Sequence, residues 1–229
     1  MNDLTAAQRQ FGDGPLSRAA AIVYRLLVVE LLLLAGVLPG LVPAVLLARD
    51  PSNIPFYAAC AIPIGPALSA ALYAIAAHRP DLTDLHPAAD FWRGYRTNLG
   101  GVLRIWLPLL AGSAVIAINL AYFTAAGVPG WWAVLLVCVA VGAAAWGGNA
   151  LVITSLFRFR SRDVARLAAY FLTRTPGATL GVLALLVVAA AITAYASEAV
   201  LALAGSVLAL LLLRTSRPMT AAIEKEFTR

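Results

Sequence analysis

The chain has 229 residues, 62% of them hydrophobic and only 12% charged, with 17 Lys and Arg against 11 Asp and Glu. Water-soluble domains are about 45–50% apolar and about 25% charged, so this composition excludes an ordinary soluble fold. The net charge of +6 does not point to nucleic acid, because the basic residues sit in short clusters between apolar runs, which is a pattern of membrane topology.

An all-α, polytopic membrane protein is expected, a single membrane domain over 1–229 with about six spans, since each crossing needs about 20 apolar residues. The first span is expected over 22–47, kinked in its second half by Gly36, Pro39, Gly40 and Pro43. The apolar run from Ala19 is too long for a cleavable signal. After the turn Arg49-Asp50-Pro51-Ser52-Asn53, a second span covers 55–77 and contains Pro63 and Pro66. A charged segment from His78 to Asn98 leads to a third span over 99–124, and a Gly-Pro turn leads to a fourth over 131–156. A second charged segment follows, and then an apolar stretch from 178 to 213. As one helix that stretch would reach about 54 Å, well beyond the hydrocarbon thickness of about 30 Å. Two spans, 178–195 and 198–213, fit it better, with a re-entrant hairpin as the alternative.

With the N-terminus inside, the inner segments hold Arg9, Arg18, Arg25, Arg79, Arg93, Arg96, Arg104, Arg158, Arg160, Arg162, Arg166, Arg174, Arg214, Arg217, Lys225 and Arg229, leaving only Arg49 outside. The positive-inside rule then places both termini in the cytoplasm. Trp131 and Trp132 open the fourth span, where amphipathic rings suit the headgroup region.

In the first charged segment, Phe91, Trp92, Tyr95 and Leu99 recur at helical spacing while Arg93 and Arg96 point elsewhere. Such a helix can lie in the interface plane, apolar face toward lipid and basic face toward anionic headgroups. It can also dock a cytoplasmic partner, because aromatic and Arg side chains are strong interface anchors. Phe91, Trp92, Arg93, Tyr95, Arg96 and Asn98 form this candidate docking helix. The second charged segment echoes the first as span, basic helix, span, a weak internal duplication that chance would also produce in so apolar a chain.

Glu30 is the one acid inside an apolar span. A charge at mid-helix costs about 2.5–3.5 kcal/mol on insertion scales, so it should face the bundle and find a partner. Arg25 lies about 140° round the same helix, which leaves Asn119 and Asn149 as candidate partners from other spans. Glu30 reads either as a solute-path or proton-relay carboxylate or as a structural polar contact. The pairs Ala143/Gly147 and Ala144/Gly148 let helices approach closely, within the chain or between protomers. His78, Asp81, Asp84 and His86 lack a recognised metal-ligand spacing, and Cys60 and Cys138 fall in apolar segments, so no metal, disulfide or cofactor is expected. Phosphate-loop, dinucleotide, nucleophile-elbow and zinc-protease patterns are missing, and the chain is expected not to be an enzyme.

The segment Gly65-Pro66-Ala67-Leu68-Ser69-Ala70-Ala71-Leu72-Tyr73, followed by Asp90-Phe91-Trp92-Arg93-Gly94-Tyr95-Arg96-Thr97-Asn98, resembles the YesL-like family of bacterial integral membrane proteins of unknown function (DUF624). Gly65, Pro66, Ala67 and Tyr73 carry its first motif, and the helix Phe91–Asn98 its second. The resemblance implies proteins encoded beside carbohydrate importers of the ATP-binding-cassette (ABC) type. The expected function is therefore a non-enzymatic accessory component of carbohydrate uptake, with the bilayer and importer subunits as partners and a homo-oligomer as an option. The alternatives are a self-sufficient small-solute carrier or channel with a hydrated path to Glu30, and a structural membrane scaffold.

Overall fold

A computed structural model describes residues 15–77, 86–195 and 198–227, and among these only helices and turns occur. Helix α1 (Pro15–Leu46) is continuous through Pro39 and Pro43. A tight turn follows, in which the Ser52 N–H donates to Asp50 at 2.8 Å and Asn53 Nδ2 donates to the Ala48 carbonyl. Side-chain and backbone hydrogen bonds from Ser52 hold the Asp50 carboxyl below the ordinary carboxylate range. The second span is two helices, α2 (Ile54–Cys60) and α3 (Ile64–Ala76). Pro63 and Pro66 remove two amide donors and crowd the preceding turn, so the helix opens between them and Cys60. Two groups close this break. Trp106 Nε1 donates at 3.0 Å to the Ala61 carbonyl, which also accepts the Ile64 N–H, and Gly40 of α1 comes so near that a Cβ there would lie 1.9 Å from the Cys60 oxygen.

Helix α4 runs without interruption from Pro87 to Ala121, about 52 Å at 1.5 Å per residue. It joins α5 (Trp131–Leu156) through a turn in which Gly127 takes a left-handed φ of 63°. Then come α6 (Ser161–Arg174), α7 (Pro176–Tyr195), α8 (Glu198–Leu203), α9 (Gly205–Thr215) and α10 (Arg217–Phe227). Among the described residues, five helical segments are long and apolar enough to cross a bilayer. The expected sixth span, 198–213, is formed of two short helices that meet at Ala204, and α9 packs against α7 and α1.

The centre is α3, packed by α1, α4, α5 and α9, with nearly every residue from Gly65 to Ile75 buried. The outward faces carry large apolar side chains instead: Leu31 and Val45 on α1, Val134 on α5 and Val187 on α7 are all exposed. Burial of small residues inside and apolar bulk outside is the pattern that lipid as solvent permits.

At the basic end the core takes in helices other than the spans. Phe91 of α4, Val164, Ala168 and Phe171 of α6, and Met219 and Ile223 of α10 are all buried in it. This corrects the expectation of an interfacial helix with its apolar face in lipid. The segment before Leu99 is the first part of α4 itself, because no proline or cap breaks the helix between Pro87 and Ala121 except Pro108, which it accommodates. Phe91 of its apolar row meets protein while Trp92 stays exposed, and Gly94 lets α4 lie directly on the Tyr73 ring: a Cβ at Gly94 would sit 2.7 Å from Tyr73 Cβ.

Candidate functional site

No hydrogen bond joins the three intramembrane polar residues Glu30, Asn119 and Asn149. Glu30 is 91% buried on α1, and its Oε2 accepts the backbone N–H of Ser206. Ser206 stands in the first turn of α9, whose N-cap residue is Ala204, a side chain with nothing to offer the exposed amides. Glu30 therefore supplies, from another helix, the acceptor that a Ser or Asp would normally provide, at the end of the dipole where a negative group is favoured. Its Oε1 has no partner.

Neither expected partner reaches it. Asn119 is exposed and bonds the Val115 carbonyl of its own helix at 2.8 Å, and Asn149 is wholly buried with neither amide atom bonded. A backbone N–H freed by a helix break takes the place of the side-chain partner expected for Glu30. The pair Gly205-Ser206 inside an apolar stretch was the available signal.

Asn98 proves to be part of a buried polar junction. Its Nδ2 donates to Ser69 Oγ at 3.3 Å and to the Ser155 carbonyl at 3.2 Å, while Ser155 Oγ lies 2.8 Å from Ser69 Oγ. Three helices, α3, α4 and α5, are tied at one level by this cluster. Ser69 and Ser155 were not singled out from sequence, because a lone Ser in an apolar span carries no periodic signal.

The candidate docking helix is divided by this geometry. Phe91 and Asn98 face inward and are buried, whereas Trp92, Arg93 and Arg96 are exposed and Tyr95 is half-buried. Trp92 meets Tyr95 edge-on at 5.7 Å between centroids, and the Arg96 guanidinium lies 6.0 Å from the Trp92 ring. Asn98 sits at the level of Ser155, in the last turn of α5, so the turns before Asn98 extend past the end of α5. Trp92, Arg93 and Arg96 thus stand on a projecting, rigid stub.

The first-motif residues are packing groups. A Cβ on Gly65 would lie 2.6 Å from the Trp106 ring, Pro66 and Ala67 are buried, and Tyr73 covers Gly94. Ala143/Gly147 and Ala144/Gly148 serve contacts within the chain: Gly147 meets Leu109 of α4 and Gly148 meets Val182 of α7. Trp131 and Trp132 stack at 4.4 Å at the start of α5. Cys138 is exposed and Cys60 half-buried, both free. His78, Asp81 and Asp84 lie outside the described residues. No group of three or more His, Cys, Asp or Glu that could hold a metal occurs among the described ones.

Fold and surface together define a polytopic helical membrane protein with a protruding basic end. Residues 53–120 match the family described as "Protein of unknown function, DUF624". The matched segment runs from the turn before α2 almost to the end of α4 and contains both motifs, with the Gly65–Trp106 and Tyr73–Gly94 contacts that join them. No curated protein matches the chain, and no solved structure matches it.

Proposed function

We propose that the protein is a non-enzymatic, multi-pass accessory component of carbohydrate uptake in a bacterial cytoplasmic membrane, docking its partner through the start of α4. The observation that carries the docking element is the stub: Trp92, Arg93 and Arg96 are exposed on a helix anchored by Phe91, Gly94 and Asn98. Aromatic and Arg side chains held in place by a buried opposite face lose little entropy on binding, as interface anchors require. The carbohydrate element rests on the family resemblance, and the charge distribution supports a cytoplasmic position for the stub and both termini.

Co-purification with ABC-type importer subunits from its native membrane tests the reading. Wild-type protein should retain them, and Trp92→Ala combined with Arg96→Ala should lose them. Retention by the double variant removes this helix as the contact.

The carrier reading draws support from two buried groups without partners, Glu30 Oε1 and the Asn149 amide. Solute flux into liposomes containing only this protein would establish it, and flux absent across a broad sugar panel would end it.

A further inference from the structure

Helix α6 differs from the α4 stub in where it lies. It begins five residues after the end of α5 and ends two residues before α7 begins, so both its ends are held at the ends of spans. It does not project away from them. Trp146 Nε1 donates to the Ala165 carbonyl in the middle of α6 at 3.0 Å. Trp146 lies about 15 Å before the end of α5 at 1.5 Å per residue, so α6 folds back along the side of that span. Beside it, Gly148 of α5 meets Val182 of α7, which fixes the two spans at a common level.

The row Val164, Ala168 and Phe171 is buried against the bundle, and Arg162 and Arg166, four residues apart on the opposite side, are exposed together with Tyr170. The segment 157–176 holds Arg158, Arg160, Arg162, Arg166 and Arg174 against the single acid Asp163. An amphipathic helix alone would bury its apolar row in lipid. Here protein takes that row, and Arg162 and Arg166 are left exposed on the outer side of a helix lying beside the last third of α5. Side chains one helical turn apart are about 5–6 Å apart at Cβ, close enough for two guanidiniums to share one phosphate. Tyr170 on the same side is of the type that settles at headgroup level.

We infer that the outward face of α6, centred on Arg162 and Arg166, binds the headgroup phosphate of an anionic phospholipid and so holds the basic end against the inner leaflet. Lipid is favoured over a protein partner for this face because α6 lies beside the bundle, whereas the stub of α4 projects beyond it.

Native mass spectrometry of the full-length protein released from detergent, with phosphatidylglycerol or phosphatidylcholine as the added probe, tests the inference. Wild type should hold phosphatidylglycerol in clear preference to phosphatidylcholine. Arg162→Ala with Arg166→Ala should weaken phosphatidylglycerol binding about tenfold or more, the loss of two cation–headgroup attractions. Arg162→Lys with Arg166→Lys, which keeps the charge, should retain much of it, and Arg49→Ala at the other end should change nothing. Equal retention of the two lipids by wild type overturns the inference, as does undiminished phosphatidylglycerol binding by the double alanine variant. A third opposing result is binding of a soluble glutamate-rich peptide to protein in phosphatidylcholine nanodiscs that depends on Arg162 and Arg166; this would assign the face to an acidic protein segment.

Discussion

At the residue scale, two glycines of one helix illustrate how context decides a side chain's meaning. Gly94 lies under the Tyr73 ring, while a Cβ at Gly100 would meet nothing within 4 Å. Gly94→Ala should cost about 1–3 kcal/mol as α3 and α4 are forced apart. Gly100→Ala should be neutral or stabilise by up to about 1 kcal/mol, the helix-propensity gain. Thermal unfolding of both variants in the same detergent checks the contrast, and equal behaviour would mean that Tyr73 does not rest on Gly94. Spacing alone treats both as glycines in an apolar helix; only the packing distinguishes them. Glu30 teaches the same lesson from the polar side. Its rarity was legible as the one acid in an apolar span, but its partner was not, because a backbone N–H exists as a free donor only where a helix has broken.

At the scale of elements, proline and cap chemistry decide which apolar runs are single helices. Pro63 and Pro66 divide the second span, yet α1 passes through Pro39 and Pro43 unbroken. In the last apolar stretch, the break at Ala204 is stabilised by Glu30 at the Ser206 amide. Glu30→Leu should leave that buried amide without an acceptor, at a cost of about 1–3 kcal/mol, and Glu30→Gln should preserve most of the stability because its amide oxygen can accept in place of Oε2. Hydrogen exchange over 205–208 reads the effect directly: faster exchange in the leucine variant alone is expected, and exchange unchanged in both would dismiss the cap.

The junction of Ser69, Asn98 and Ser155 links three helices in the same way. A double-mutant cycle on Asn98→Ala and Ser69→Ala should return a coupling of about 0.6 kcal/mol and no more than about 1.7, the range for hydrogen bonds between membrane helices. Strict additivity would show that the two groups do not share a bond.

At the scale of the whole molecule, the charge asymmetry becomes a shape. At the basic end α4, α6 and α10 each bury an apolar row in the common core and leave the arginines outward. The orientation expected from it is open to labelling once Cys60 and Cys138 are replaced by serine. In intact cells a membrane-impermeant maleimide should modify Asn53→Cys, in the turn before α2, and should reach Ala169→Cys on α6 only after permeabilisation. The reverse pattern would invert the orientation expected from the positive-inside rule.

Composition and hydropathy by themselves determined that this chain is a bundle of membrane helices, where most of them begin and end, and which end is basic. Those properties are sums over many residues, and lipid as solvent leaves the backbone little choice but helix. The motif Gly65 to Tyr73 and the helix after Asp90 were also visible, as two separate strings of residues. Only the tertiary structure decided what they mean: that Tyr73 rests on Gly94 and Trp106 on Gly65, that Phe91 and Asn98 turn inward while Trp92 and Arg96 turn out, and that Glu30 caps α9. In a sequence so uniformly apolar, inward and outward faces carry the same residue types, so periodicity cannot tell protein neighbours from lipid. Close approach of particular backbones does.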